Sequence, residues 1–127
     1  FSLGMIDLDN FKSINDQLGH LVGDSVLQAV AQEGVTVADG LARLYRYGGE
    51  ELAILIPGED GAQALALLER WRLRVLQRQW REAGLVVTFS AGLGQWHHEP
   101  AAQLIARVDR ALYQAKEAGK NRVHPAG

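Results

Sequence analysis

The chain has 127 residues, 47% of them hydrophobic and 22% charged, with a formal net charge of −2 and no cysteine. That length suits one domain able to bury its own core. The missing cysteines exclude a disulfide scaffold and a thiolate metal site, and the small net charge gives no global attraction to nucleic acid or an anionic membrane. No apolar run reaches the length of a membrane span.

Residues 2–8 are apolar and end in acid, which predicts a buried strand whose C-terminal end meets solvent. The strand starts almost at the first residue and no initiator Met precedes it, so the expectation is a single domain over 1–127, cut short at its N-terminus. Residues 10–17 predict a short helix capped by Asn10. Gly19 to Gly23 reads as a glycine-bounded turn, after which Asp24 or Ser25 caps a helix that turns Val26, Leu27 and Val30 inward. Residues 34–40 read as a loop.

Two apolar runs follow, Leu41 to Tyr47 and Leu52 to Ile56, joined through Gly48-Gly49. They predict a β-hairpin, since glycine takes the positive φ of a tight turn without steric cost. Pro57-Gly58 stops it. Residues 60–82 predict a long amphipathic helix with Leu65, Leu68, Trp71 and Val75 at helical spacing. Residues 85–93 alternate, which predicts a strand with Val87, Phe89, Ala91 and Leu93 on one face. Pro100 opens a last helix, Gly119 ends it, and residues 121–124 add an edge strand. The order β-α-α-β-β-α-β-α-β implies an α/β domain with a central sheet flanked by helices.

Four groups of residues have a chemical reading beside a structural one. Asp7-Leu8-Asp9 offers carboxylates and a carbonyl to a hard cation at a strand end; a solvated turn closing the strand is the simpler alternative. Glu50 and Glu51 sit at the hairpin tip, and adjacent strand residues point to opposite faces, so one glutamate can turn toward Asp7 while the other does not. Lys12, Asn15, His20 and Asp24 follow in an order that suits a nucleotide, with phosphates at the strand end and the base further out. A carboxylate is a double acceptor that matches the N1–H and amino group of guanine and opposes the acceptor N1 of adenine; the alternative is that Asn15 and Asp24 are caps. Lys116 and Lys120 read as phosphate clamps or as cations favoured at a helix C-terminus. No P-loop is present, Gly92-Leu93-Gly94 is a poor dinucleotide signal, and His97-His98 read as surface residues.

Together these stretches resemble the GGDEF family of diguanylate cyclases, from Met5 to about Val123. The resemblance is carried by Asp7-Leu8-Asp9-Asn10-Phe11-Lys12-Ser13-Ile14-Asn15-Asp16, by Gly19-His20-Leu21-Val22-Gly23-Asp24, by Arg46-Tyr47-Gly48-Gly49-Glu50-Glu51-Leu52, and by the run from Asp109 to Arg122. It implies a mixed, mostly antiparallel five-stranded sheet like that of nucleotidyl cyclases and polymerase palms. It implies an enzyme that condenses two GTP molecules into cyclic di-GMP and releases pyrophosphate. By this resemblance Asp7, the Leu8 carbonyl and Glu50 hold Mg2+ (or Mn2+). Glu50 is also the base for the ribose 3′-hydroxyl, and Glu51 assists it. Lys12 stabilises the phosphates, and Lys116 and Lys120 hold the terminal ones. Asn15 and Asp24 read guanine, Phe11 and His20 line the same site, and Gly48 and Gly49 leave room for the nucleotide.

One domain holds one GTP, so the resemblance implies a homodimer, driven by a region upstream of this chain. Leu52 replaces the signature's final aromatic. The family's Arg-x-x-Asp product-inhibition site falls on Asp39 and Ala42, so it is expected to be absent. The expected location is the cytoplasm, whether or not the parent protein is anchored in a membrane, with no contact to nucleic acid or to the membrane by this domain. The competing readings are a catalytically silent GTP-binding signalling module of the same fold, a receptor for cyclic di-GMP and a bare structural domain.

Overall fold

The computed structural model describes residues 1–127. Five strands and four helices follow in the expected order: β1 (Ser2–Leu8), α1 (Phe11–Leu18), α2 (His20–Ala38), β2 (Arg43–Gly48), β3 (Glu51–Ile56), α3 (Gly61–Gln77), β4 (Phe89–Gln95), α4 (Ala101–Glu117) and β5 (Arg122–Pro125). The sheet order is β2-β3-β1-β4-β5. Only the β4–β5 pair is parallel; β1–β3, β1–β4 and β2–β3 are antiparallel. The expected mixed, mostly antiparallel sheet is borne out.

The period of two along β1 divides the core. Ile6 and Leu8 join Val26 and Val30 of α2, Leu68 and Trp71 of α3, and Phe89 and Ala91 of β4 on one face. Leu3 and Met5 meet Leu104, Val108 and Leu112 of α4 on the other. β1 is therefore covered on both sides, which explains why it reads as a continuous apolar run rather than an alternating one. α4 lies so close to β4 that a Cβ on Gly92 would stand 2.2 Å from the Val108 carbonyl oxygen. Close packing accounts for that glycine without a nucleotide.

Several boundaries differ from expectation, each for a local reason. α2 begins at His20 with Gly19 as its cap residue, so neither Asp24 nor Ser25 caps it, and it runs through the expected loop to Ala38. Asn10 has φ 58° and makes no side-chain cap; its Oδ1 instead accepts from Lys120 Nζ at 3.0 Å. α3 stops at Gln77, short of residue 82. Its cap residue Arg78 turns extended and sets its guanidinium 5.0 Å from the centre of the Trp80 ring. β4 starts at Phe89 rather than at 85 because its partner β1 ends at Leu8, opposite Phe89. Val87 is buried there without belonging to the ladder.

Candidate active site

Antiparallel pairing brings Asp7, Leu8 and Glu51 to one edge of the sheet. The C-terminal end of β1 lies beside the N-terminal ends of β3 and β4, and α1 leaves from the same point. Asp7 is in register with Glu51, and residues directly opposite in a ladder share a face. That face is the one covered by α4, whose Lys116 donates from Nζ to Asp7 Oδ2. The second carboxylate oxygen, Asp7 Oδ1, is buried and has no partner.

Burial pushes the Asp7 carboxyl above its ordinary value, and the charges of Glu50 and Asp9 add to the rise against the opposing pull of Lys116. Burial raises Glu51 as well, helped by the charges of Asp7 and Asp109. Lys116 is pulled both ways. Burial lowers it, but the bond to Asp7 and the charges of Asp7, Glu51 and Asp9 leave it raised overall. Two carboxyls that resist ionisation and one held cation mark a site short of positive charge.

The hairpin turn is shifted by one residue from the expected one. Gly48 closes β2 opposite Glu51, and the two turn residues are Gly49 and Glu50. Gly49 has φ +47° and needs glycine for that reason, whereas Gly48 is not in the left-handed region. A Cβ at either glycine would meet nothing within 4 Å, so both border open space. Glu50 therefore sits in the turn while Glu51 opens β3. Arg46 braces the turn by donating from Nε (3.2 Å) and Nη2 (2.9 Å) to the Gly49 carbonyl. The sequence offered no reason to assign Arg46 that role, because the bond depends on the bulge between Arg46 and Gly48.

Asp9 departs from the sequence reading. Its side chain is buried and fully engaged: Oδ2 accepts from Thr88 Oγ1 at 2.7 Å and from the Asn121 backbone N–H at 2.9 Å, and Oδ1 accepts from Ser90 Oγ at 2.6 Å. It ties the end of β1 to β4 and to the turn after α4, and offers no oxygen to a cation. Lys120 and Asn121 in that turn have φ 66° and 48°. Arg72 Nη1 also donates to Asn121 Oδ1 at 2.9 Å, so the strained turn that carries Lys120 is held from two sides.

Away from the sheet edge, Phe11 and Asn15 are half-buried on α1, and Lys12, His20 and Asp24 are exposed. Asn15 Oδ1 is buried without a partner. Asp24 lines a groove of about 620 Å³ together with Leu27, Gln28, Leu44, Arg46 and Leu52. The groove runs from α2 to β2 and β3, and Asp24 is the one residue read as base-binding that lines it.

The donor set fits a magnesium-like ion. No group of three or more His, Cys, Asp or Glu residues forms a cage. Such an ion needs none, since it binds through one or two carboxylates plus substrate phosphates and keeps several waters. The orphaned Asp7 Oδ1, the Leu8 carbonyl and the neighbouring glutamates meet that description.

Residues 1–122 match the family model described as "Diguanylate cyclase, GGDEF domain". Curated relatives include diguanylate cyclase A of Treponema denticola, 37% identical over 126 residues, and diguanylate cyclase DgcM of Escherichia coli K12, 41% identical over 126 residues. These alignments cover 96% and 97% of this chain but only 34% and 30% of the relatives, so the chain spans about a third of their length. Among solved structures, the active GGEEF domain of a diguanylate cyclase from Vibrio cholerae superposes with a TM-score of 0.94 at 36% identity, covering 99% of this chain and 82% of that one. The GGDEF domain of DgcB from Caulobacter crescentus, solved in complex with c-di-GMP, gives 0.91 at 34% identity, covering 98% and 77%. With the family model matched over nearly the whole chain, and the sheet, the hairpin and the acidic strand end arranged as described, the chain belongs to the GGDEF-domain family of diguanylate cyclases.

Proposed function

We propose that the protein carrying this domain is a diguanylate cyclase, which joins two GTP molecules into cyclic di-GMP and releases two pyrophosphates. The observation that carries this reading is Asp7: half-buried, with a raised pKa, in register with Glu51, and keeping one buried oxygen without a partner. Such a carboxylate is costly to maintain unless a cation completes it.

The family generally uses a divalent metal, and Asp7, the Leu8 carbonyl and Glu50 are the residues proposed to hold Mg2+ (or Mn2+). A bound divalent cation supplies charge stabilisation at the phosphates and acidifies the attacking hydroxyl. Glu50 takes the proton of the ribose 3′-hydroxyl, whose oxygen bonds to the α-phosphorus of the partner's GTP as the bond to pyrophosphate breaks. Glu51 stands next to this exchange and opposite Asp7. Lys12 offsets charge developing on the phosphates, and Lys116 and Lys120 hold the terminal ones. Asn15 and Asp24 recognise guanine, Phe11 and His20 line the base site, and Gly48 and Gly49 keep the space over the turn open. Each domain holds one GTP, so two must face each other, and a region outside this chain drives that homodimer. The reaction belongs in the cytoplasm; no helix of the domain is long and apolar enough to cross a membrane.

The test is direct. The domain is fused to a known dimerising module, given GTP and magnesium, and the products are separated by chromatography. Cyclic di-GMP is the expected product. GTP binding without product, in a fusion whose dimeric state is verified, refutes the cyclase reading in favour of a silent GTP-binding module.

A further inference from the structure

We propose that Gly23 is a positioning residue for base recognition: the side chain it lacks is the space in which the Asn15 carboxamide is held. This rests on the reading of Asn15 as a guanine contact and adds to it the residue that sets its aim.

Gly23 is buried in the first turn of α2, where its N–H donates to the Gly19 carbonyl at 3.1 Å. A glycine there has no conformational reason, because the position is helical and alanine is the better helix former. The reason is steric. A Cβ on Gly23 would stand 1.7 Å from Asn15 Oδ1 and 2.9 Å from Asn15 Cγ, with Phe11 Cζ next at 3.4 Å. The α1–α2 contact is thus close enough that the Asn15 amide fills the place of the missing methyl.

Two features separate this from ordinary helix packing. Asn15 Oδ1 is a buried acceptor with no donor in the protein, so it is poised for a donor that arrives from outside. The atom that a methyl would displace is also the far end of a side chain rather than backbone. Asn15 can rotate away, which keeps the fold but removes the acceptor from its place. Guanine supplies a suitable donor in its 2-amino group, which has two hydrogens. With Asp24 taking N1–H and one of these, Asn15 is left to take the other. Inosine triphosphate lacks the amino group and is the chemical control.

The experiment measures GTP and inosine triphosphate affinity by titration calorimetry, and Tm by calorimetric melting. It compares the wild-type protein with Gly23→Ala, Asn15→Ala and the double variant. We expect Gly23→Ala to bind GTP about tenfold more weakly, the worth of one hydrogen bond to the base. Inosine triphosphate binding should barely change, and Tm should hold or rise. In the Asn15→Ala background Gly23→Ala should cost nothing more, because the group it displaces is gone. Wild-type GTP affinity in Gly23→Ala, with a clear loss in Asn15→Ala, overturns the proposal alone. An equal loss for both nucleotides, a lowered Tm, or an additive double variant also overturns it, since each marks a general distortion of the fold. GTP affinity unchanged in Asn15→Ala overturns the underlying guanine reading, and with it the proposal.

Discussion

Lys116 of α4 donates from its ammonium to Asp7 of β1 across 109 positions of sequence, and this pair ties the end of α4 to the acidic end of β1. The pairing is lopsided. Lys116 takes Asp7 Oδ2 and leaves Oδ1 buried and bare, and the lysine side chain is itself 39% exposed. One exposed lysine does not satisfy Asp7 together with the charges of Glu50, Glu51 and Asp9 around it. The site is built with an excess of acid, and a divalent cation would relieve it.

That excess sets a pH and metal dependence. Asp7 and Glu51 have folded-state pKa values raised above their ordinary 3.8 and 4.5. Groups of this kind contribute stability that is fully present below those values and lost as pH rises through the folded-state values. Without metal, their contribution to the melting temperature should therefore fall between strongly acidic and neutral pH. A bound cation requires the Asp7 carboxylate ionised, so its effect runs the other way and grows with pH. Thermal melts with and without magnesium across that range check this. A magnesium-induced rise in Tm that is the same at acidic and neutral pH would contradict the assignment of the ion to Asp7.

Base choice is predicted to sit largely on Asp24. Its carboxylate lines the groove between α2 and the hairpin, and it makes no N-cap that would explain it structurally. Asp24→Ser removes the charged double acceptor. A hydrogen bond to a charged group is worth about 1.5–3 kcal/mol, so GTP binding should weaken roughly tenfold to a hundredfold while ATP binding improves or holds. Since Asp24 is exposed on a helix, stability should change by no more than about 0.5 kcal/mol. Competition binding with the two nucleotides decides it, and an unchanged GTP preference would remove Asp24 from the base site.

The two aspartates at the end of β1 should separate cleanly. Asp7→Asn is predicted to abolish magnesium binding with little loss of stability, because burial already disfavours its charge. Asp9→Ala is predicted to do the reverse. It strands the buried Ser90 hydroxyl, at a cost of about 1–3 kcal/mol, and the half-buried Thr88 hydroxyl and Asn121 N–H at a smaller cost each. Urea unfolding together with a magnesium titration of each folded variant distinguishes them. An Asp9 variant as stable as wild type would refute the anchoring role.

Asp9 also marks where the sequence stops being readable. The two-residue spacing of Asp7 and Asp9 reads as one strand face, so spacing alone gives them one job, although β1 ends at Leu8. What separates them is Thr88, Ser90 and Asn121, about eighty to a hundred and ten residues away, and no local pattern shows that contact. The strands, the hairpin and the amphipathic faces of α3 and α4 were legible because the spacing of apolar residues reports burial directly. Caps were less so. Asn10 and Asp24 have the right chemistry for capping and do not cap, since one is recruited by Lys120 and the other opens onto the groove. Gly49 was legible as a turn glycine. Gly23 and Gly34 were not, because each is required by a side chain from another helix rather than by its own φ.

Gly34 gives the last prediction. The sequence places it at the start of a loop, yet it lies inside α2, one turn before its C-terminal end, and is buried. Trp71 of α3 is fully buried against it, donates from Nε1 to the Val30 carbonyl at 2.9 Å, and packs edge-on to Phe89 with ring centres 5.1 Å apart. A Cβ on Gly34 would lie 2.6 Å from Trp71 Cε2 and 2.7 Å from Leu44 Cδ2. Helix propensity alone favours alanine over glycine by about 1 kcal/mol. Overpacking a rigid indole costs about 1–3 kcal/mol, and the indole cannot swing aside without breaking its bond to Val30. Gly34→Ala should therefore destabilise the domain by up to about 2 kcal/mol, read as a lowered urea midpoint with an unchanged slope. Combining it with Trp71→Phe, which removes the crowded ring atoms, should give a smaller loss than the sum of the two single changes. If Gly34→Ala raises the midpoint instead, helix propensity outweighs the indole contact and the packing account of this glycine is wrong.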